Sequence, residues 1–427
     1  MKKLLSVLCV LCLLVGCLSI AAAEQPVNLR ISWWGGESRH AATVAALDVF
    51  MGKYPEYTAE GEYGASSYND KIATQLTGNQ APDVMQLSYA NIIGFAENGW
   101  VLPIDSYIEE GIIDTSKLDQ SIIDMYKVDG VTYALPTGIN TTVLLYNKDI
   151  FDEAGIAYPD GTWTFDEYYE VARQLKADTD GDGQIDRWGC SNPFTDKVEI
   201  TFLRMYYAKG GHLWNDTFDA CDVDLEIGAQ ILQEMVDLVK EGLFPDIELT
   251  ASNPSGVYDF TLGRTAMCLL EASGVASREA LADFRMGVCR APECAEMPLY
   301  WLSPSQLWVI SKDTVDPVGA AKLMNFMVND MDGGAVLGIQ RGIPANSDIR
   351  AMVASAEGTS EAVKESYVAV DDTSAHTGDV IPEMYPANGM SFFDEMGKQF
   401  DLLIYGMTTP EEAIKACVEY TDRMMSD

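Results

Sequence analysis

The sequence predicts an α/β fold in which helices flank a parallel sheet, and it predicts more than one domain. Strand and helix patterns alternate regularly over residues 27–87, and this spacing favours parallel strands joined by crossover helices. The length of 427 residues exceeds what one ordinary hydrophobic core holds. A strand-like run is also interrupted by Pro136, Thr137 and Gly138, which indicates that the chain crosses between domains there.

The amino-terminal elements follow one another closely. A first strand pattern runs into Trp33 and Trp34, and a helix pattern then continues until Pro55. Ligands collect at the carboxyl ends of the strands in such sheets, so we expect residues 33–36, 64–67 and 86–89 to line a site. The predicted elements are strands over 27–32, 57–63 and 83–87 and helices over 38–54 and 68–76.

The later part of the chain supplies further elements and no internal repeat. Thr164 and Glu167 have the spacing of a capping box at the start of a long helical region. The final helix begins with acidic residues in its first turn, as the helix macrodipole favours. The predicted segments are strands over 133–138, 142–146 and 308–311, helices from 164, over 318–329 and over 409–425, and a turn over 341–346.

Residues 1–23 predict an export signal. Two lysines precede an apolar run, and small residues follow it. Cleavage after Ala23 would release a soluble chain, whereas Cys17 ends a lipobox-like segment and would carry a lipid anchor; the sequence leaves both outcomes open. A third outcome, an uncleaved membrane helix over 4–23, is disfavoured by the small residues at its end. We therefore expect an exported protein outside the cell, free or anchored through Cys17.

Composition excludes several functions. The formal net charge of −37 argues against nucleic acid, which requires a basic face, and against docking on anionic lipid. Three histidines and the absence of a CxxC pair discourage a histidine- or cysteine-built metal site or a catalytic triad. The phosphate-loop, HExxH and GxSxG motifs of common enzymes are also missing.

Several motifs together resemble one family. The most specific stretch is 138–151, in which a strand ends in Tyr146 and Asn147 before a short helix. Supporting motifs occur in family-like order at 81–84, 162–167 and 341–344. The chain resembles the extracellular solute-binding proteins of ABC importers, in the large family that binds sugars and oligosaccharides.

The resemblance implies a two-lobe fold of the periplasmic-binding-protein type, with crossing hinge strands and a ligand cleft between the lobes. By that pattern, lobe 1 holds residues 27–135 plus 307–350, and lobe 2 holds 136–306 plus 351–427 with the carboxyl-terminal helices. A hinge at 136–138 fits closure, because a few loop residues can take up the change in backbone angles.

Sugars present apolar faces and hydroxyl rims, so their sites combine flat aromatic rings with hydrogen-bonding side chains. Only one of Trp33 and Trp34 can face the core of an alternating strand, and we favour Trp34 as the cleft residue. The isolated tryptophans of the second half are weaker candidates. The predicted ligand contacts are Trp33, Trp34, Gly36, Ser67, Gln86, Tyr89, Asn140, Trp214, Trp301 and Arg341.

Residues 178–186 match the first nine positions of a calcium loop. The match departs at the twelfth position, where Gly189 replaces a bidentate Glu. The alternative is an acidic surface turn held by side-chain hydrogen bonds. We favour a structural calcium ion away from the cleft. Its predicted ligands are Asp178, Asp180, Asp182, Gln184 and Asp186.

The sequence therefore predicts a monomeric substrate-binding protein that captures a mono- or oligosaccharide by hinge closure and delivers it to the membrane subunits of an ABC permease, without catalysis and without nucleic acid. A carbohydrate-active enzyme that cleaves glycans is the alternative from another class. A binding protein for a non-sugar solute is a third.

Overall fold

Two β-sheets organise the chain in this computed structural model, which describes residues 25–64, 68–215, 217–246, 248–249, 259–295, 301–376, 386 and 388–426. The predicted export signal, with Cys17, and the candidate Ser67 lie outside the described residues. The strands are β1 Val27–Trp34, β2 Tyr57–Gly64, β3 Val84–Leu87, β4 Lys127–Val128, β5 Val131–Thr132, β6 Ala134–Asn140, β7 Thr142–Asn147, β8 Trp188–Cys190, β9 Thr265–Glu271, β10 Met286–Arg290, β11 Ser303–Ile310 and β12 Ile343–Pro344.

Helices surround both sheets, and those predicted from the sequence are confirmed to within one or two residues. Within the described ranges they are α1 Glu37–Lys53, α2 Tyr68–Thr77, α3 Ile92–Glu97, α4 Asp105–Glu109, α5 Gln120–Met125, α6 Lys148–Ala154, α7 Phe165–Leu175, α8 Pro193–Ala208, α9 Leu225–Lys240, α10 Val275–Glu279, α11 Pro317–Asn329, α12 Met331–Leu337, α13 Ser347–Ala354, α14 Glu361–His376, α15 Ser391–Ile404 and α16 Pro410–Ser426. The capping box of α7 is present, with Thr164 and Glu167 exchanging hydrogen bonds.

The first sheet, lobe 1 with its helices, has the strand order β12-β6-β11-β3-β1-β2 among the described residues. β1 lies parallel to β2 and β3, and β11 is antiparallel to both β3 and β6. The carboxyl ends of β1, β3 and β6 therefore lie at one edge. Trp33 and Trp308 are fully buried in this lobe's core.

The second sheet, lobe 2 with its helices, has the order β10-β7-β9-β8 among the described residues. Strand β7 is buried on both faces: Val143 and Leu145 pack in one apolar cluster, and Leu144 and Tyr146 pack in another against α7. A strand buried on both faces requires a continuous apolar run, and this explains the sequence of residues 143–146. Helices α8, α9, α15 and α16 enclose a separate apolar cluster.

The chain passes from one sheet to the other between Asn140 and Thr142. The predicted interruption at 136–138 is wrong, because Pro136 and Gly138 lie within β6 and pair with β11. A register shift between Gln306 and Leu307 opposite them forms an irregularity that accommodates proline.

The lobe boundary consequently lies later than the sequence predicts. Residues 136–140 and 303–306 belong to the sheet of lobe 1 and not to lobe 2. The crossing is thus made at Thr141, where β6 of lobe 1 leads directly into β7 of lobe 2, and not by a loop at 136–138. Among the described residues, no helix combines the length and apolarity that a bilayer crossing needs.

Candidate functional site

The candidate site lies between two sheet edges that meet at the crossing strands. In lobe 1 the edge is formed by the carboxyl ends of β1, β3 and β6. In lobe 2 it is formed by the carboxyl ends of β8, β9 and β10, because β9 and β10 run antiparallel to β7 and β8 runs parallel to β9. Open α/β sheets bind ligands at such edges.

The two adjacent tryptophans of β1 lie on opposite faces of the sheet, as the alternation of side chains along a strand requires. Trp33 has no exposed surface and packs over Gly61 of β2, where a Cβ atom would lie 2.4 Å from the indole. Its prediction as a ligand contact is therefore wrong in this structure, because no surface is left to touch a solute. Trp34 is half-buried at the strand end, with its ring 5.0 Å from that of Tyr68.

The glycines after Trp34 leave the backbone open at the edge. Gly35 adopts a φ of 150°, and the Arg39 side chain packs against it, 2.6 Å from where a Cβ would stand. Nothing lies within 4 Å of a Cβ at Gly36, which begins α1 without a side-chain cap. The backbone at the first turn of α1 is therefore open to approach, and Gly36 stays a predicted ligand contact.

The region of β3 supplies one half-buried candidate and one buried one. Tyr89 is half-buried just beyond the end of β3, with its ring 6.3 Å from that of Tyr126. Gln86 is fully buried and accepts a 2.7 Å hydrogen bond from Arg341. Gln86 therefore supports the edge from beneath and does not present its amide to a solute.

Arg341 is also beneath the edge. It is 3% exposed, donates to Thr43 Oγ1 at 2.7 Å, and its guanidinium lies 4.4 Å from the Trp308 ring. Burial, followed by the like charge of Arg39, lowers the pKa of Arg341. Its prediction as a direct ligand contact is wrong in this conformation, because protein atoms cover it.

Sequence reasoning missed Arg39, which lies at the edge above Arg341. Its Nε donates to the Gln340 carbonyl at 2.7 Å and its Nη1 to the Trp34 carbonyl at 3.2 Å. In the amide orientation that satisfies its hydrogen bonds, Gln306 accepts from Arg39 Nη1 at 2.9 Å. The available signal was a cation in the first turn of a helix, where the macrodipole disfavours it.

Asn140 lies at the crossing and anchors it to lobe 2. Its Nδ2 donates to a carboxylate oxygen of Glu271 and to Ser273 Oγ, and its Oδ1 accepts from the amides of Thr141 and Ser273. These bonds use both amide hydrogens and both lone pairs. Asn140 is therefore a hinge anchor in this conformation, and the prediction that it binds solute hydroxyls is not supported by the geometry.

Replacing Asn140 with Ala should lower the free energy of unfolding by about 2–4 kcal/mol, because each lost buried hydrogen bond contributes about 1 kcal/mol and Glu271 loses a partner. Chemical denaturation measures this change. Thr141→Val is the neighbouring control, since it removes the single side-chain bond to the Trp301 carbonyl. An Asn140→Ala protein with unchanged stability would contradict the anchoring role.

The two remaining tryptophans differ in exposure. Trp301 is half-buried two residues before β11, with its ring 6.4 Å from that of Tyr207, and stays a candidate contact. Trp214 is 4% exposed and packs inside the helical cluster of lobe 2. It is a core residue in this structure, contrary to prediction.

The predicted calcium loop is closed by the pairing of Ala177 with Arg187. Carboxylate oxygens of Asp178, Asp180 and Asp186 lie within 4.8 Å of one another, and the Asp182 carboxylate does not join them. The role of Gln184 as a ligand stays a prediction. The Asp178 carboxylate already accepts from the amides of Gly181 and Gly183. The loop therefore offers three carboxylate ligands to a cation. It also contains the side-chain hydrogen bonds expected of an acidic surface turn without an ion.

Residues 36–333 match the family described as bacterial extracellular solute-binding protein. This match covers more than half of the chain. The chain belongs to that family. The two-lobe organisation, with sheets joined by crossing strands, is accordingly the fold of its members.

Two relatives illustrate the range of the family. The arabinooligosaccharide-binding protein of Halalkalibacterium halodurans is 29% identical over 40% of this chain and 36% of its own length. The sn-glycerol-3-phosphate-binding periplasmic protein UgpB of Rhizobium meliloti is 25% identical over 67% of this chain and 64% of its own. The chain thus spans about a third of one relative and under two thirds of the other.

Solved structures share the fold. An extracellular solute-binding protein family 1 member from Alicyclobacillus acidocaldarius has a TM-score of 0.80, with 22% identity, over 95% of this chain and all of that one. A periplasmic oligogalacturonide-binding protein from Yersinia enterocolitica has a TM-score of 0.74, with 21% identity, over 94% of this chain and 99% of that one. At this identity the likeness concerns the fold alone.

Proposed function

We propose that the protein is the extracellular substrate-binding component of an ABC importer, which captures a mono- or oligosaccharide by hinge closure and delivers it to the permease subunits. The observation that carries this proposal is the half-buried Trp34 at the carboxyl edge of the sheet in lobe 1. An indole face can stack on the apolar face of a sugar ring, and Tyr89 offers a second aromatic ring beyond the adjacent strand end.

The second lobe supports the same function. Its edge meets the edge of lobe 1 at the Asn140 anchor, so that movement about the crossing strands would enclose a solute between them. The names of the relatives above, which refer to an arabinooligosaccharide and to glycerol 3-phosphate, agree with small polyhydroxylated solutes. We also propose that the protein is exported and monomeric, and that it is either anchored through a lipid on Cys17 or released as a free chain. It is proposed neither to catalyse a reaction nor to bind nucleic acid.

A saccharide panel tests this proposal. Thermal-shift measurements with mono- and oligosaccharides should show at least one that raises the melting temperature, and isothermal titration should then give saturable binding with about one site per chain. Tryptophan fluorescence should change on binding, because we expect the half-buried Trp34 and Trp301 to contact the solute. Chromatography of the incubated sugars should detect no new product; cleavage would favour the enzyme alternative and contradict the binding function.

We also propose that the loop over 178–186 binds a structural calcium ion. Calcium should raise the melting temperature, since a ligand at a hundredfold excess over its Kd stabilises by about 2.7 kcal/mol. Asp180→Ala should abolish this rise, whereas Asp401→Ala, an exposed aspartate on α15, should not. An equal response of both variants, or no calcium response in the unmodified protein, would leave the loop as an acidic turn.

A further inference from the structure

Two arginines, Arg39 at the cleft edge and Arg341 beneath it, have no carboxylate partner among the described residues. Arg39 donates only to backbone carbonyls and to the Gln306 amide, and Arg341 only to Gln86 and Thr43. The chain contains 65 acidic residues against 28 Lys and Arg. A carboxylate partner for each arginine would therefore be easy to supply. Because neither arginine has one among the described residues, the two charges point to a different partner.

The two positive charges are close enough to influence each other. Burial and the charge of Arg39 both lower the pKa of Arg341, and burial also lowers the pKa of Arg39. The Nε of Arg341 is buried and makes no hydrogen bond within the described residues. Its nearest aromatic neighbours, Trp308 and Trp33, contribute cation–π contacts but no formal negative charge.

The backbone at the same edge favours negative charge as well. Helix α1 begins at Glu37, directly after the open Gly36, and no side chain caps its first amides. The amino-terminal end of a helix of this length carries a partial positive charge and exposed N–H donors. Arg39 lies in that first turn, so the dipole and the guanidinium act on the same small region.

We propose that the captured solute carries an anionic group, a carboxylate or a phosphate, and that Arg39 binds this group beside the first turn of α1. This inference rests on the proposed solute-capture function. Gln306 also accepts from Arg39 Nη2 at 3.3 Å, which leaves one Nη2 hydrogen without a bond among the described residues. A guanidinium binds carboxylate and phosphate oxygens with matched geometry. Arg341 adds positive potential from beneath without touching the solute.

For the binding of an anion, the arginines at the edge should matter more than the net charge of the chain. A net charge of −37 disfavours anions at long range, but exposed charges are screened within about 10 Å at moderate salt. Arg39 is half-buried at the edge, so its charge would act on a bound solute at short range and with less screening. The class of solute is therefore decided by the edge and not by the surface.

Matched pairs of solutes test the proposal directly. Isothermal titration of the full chain should compare digalacturonate with galactobiose, glucose 6-phosphate with glucose, and sn-glycerol 3-phosphate with glycerol. At least one acidic member should bind at least about tenfold more tightly than its neutral partner, as expected for a charge-assisted hydrogen bond. The first pair reports a carboxylate, and the other two report a phosphate.

Variants then assign the preference to Arg39. Arg39→Gln should lower the affinity for the acidic solute at least about tenfold and leave that for its neutral partner within about threefold. Arg173→Gln, which removes the same charge from a surface pair with Glu241 far along the chain, should change neither. Melting temperatures of both variants establish that they are folded; if Arg39→Gln is not, Arg39→Lys replaces it, with a smaller loss expected.

The outcomes separate this proposal from the one on which it rests. Tight binding of neutral saccharides without preference for the acidic members would overturn the anion proposal and leave saccharide capture standing. An acidic preference that survives in Arg39→Gln would also overturn it, because another group would then bind the anion. If no solute of either kind binds, both proposals fail.

Discussion

Trp33→Ala should lower the free energy of unfolding by about 3–5 kcal/mol, while Trp34→Ala should leave it nearly unchanged. Trp33 has no exposed surface and fills the space over Gly61, so its loss leaves a cavity that the surrounding sheet cannot close. Trp34 is only partly buried at the end of β1. Guanidinium denaturation of the two variants measures this difference.

Ligand affinity, in contrast, should depend more on Trp34 than on Trp33. Trp34→Ala removes the aromatic face that we expect to stack on a sugar ring, and its affinity for the bound saccharide should fall about tenfold or more. Trp34→Phe keeps a ring and should retain most of the affinity. A Trp34→Ala protein that loses stability but binds normally would assign Trp34 to the core and remove the main support for the proposed site.

Gly189→Ala should destabilise the protein by about 3 kcal/mol. A Cβ atom at Gly189 would lie 1.9 Å from the carbonyl oxygen of Ala172, and this atom belongs to the backbone of α7, which packs on β8. A backbone atom cannot rotate away as a side chain can, so the helix itself would have to move. Urea denaturation of the variant measures the loss.

A second glycine provides the control. Gly52 lies in α1 with nothing within 4 Å of a Cβ position, and Gly52→Ala should stabilise the protein by up to about 1 kcal/mol. Equal stability of the two alanine variants would contradict the packing of α7 on β8. The same contact explains why the calcium motif lacks a side chain at its twelfth position: residue 189 has no room for one.

The local elements could be predicted because their signals are local. The strand of β1 alternates, Pro55 stops α1, and the pair Thr164 and Glu167 closes a capping box that the structure contains. Each depends on residues only a few positions apart. The crossing was misplaced because Pro136 usually interrupts a strand, and only its partner β11 supplies the irregularity that tolerates it.

The candidate site could be predicted only as a location. The carboxyl ends of β1 and β3 follow from the order of the elements, so Trp34, Gly36 and Tyr89 lie at the same edge of the sheet, as the sequence predicts. Whether a polar residue faces the solute or supports the edge depends on neighbours distant in sequence. Gln86 and Arg341 are 255 residues apart and satisfy each other beneath the surface.

The sequence by itself determined the elements, the family and the edge at which a solute should bind, because these follow from periodicity and from motifs in a fixed order. The tertiary structure alone decided that Trp33 is core, that Asn140 anchors the hinge and that Arg39 has no carboxylate partner among the described residues. These properties depend on burial and on the sum of nearby charges, and both are set by side chains that folding brings together from far along the chain.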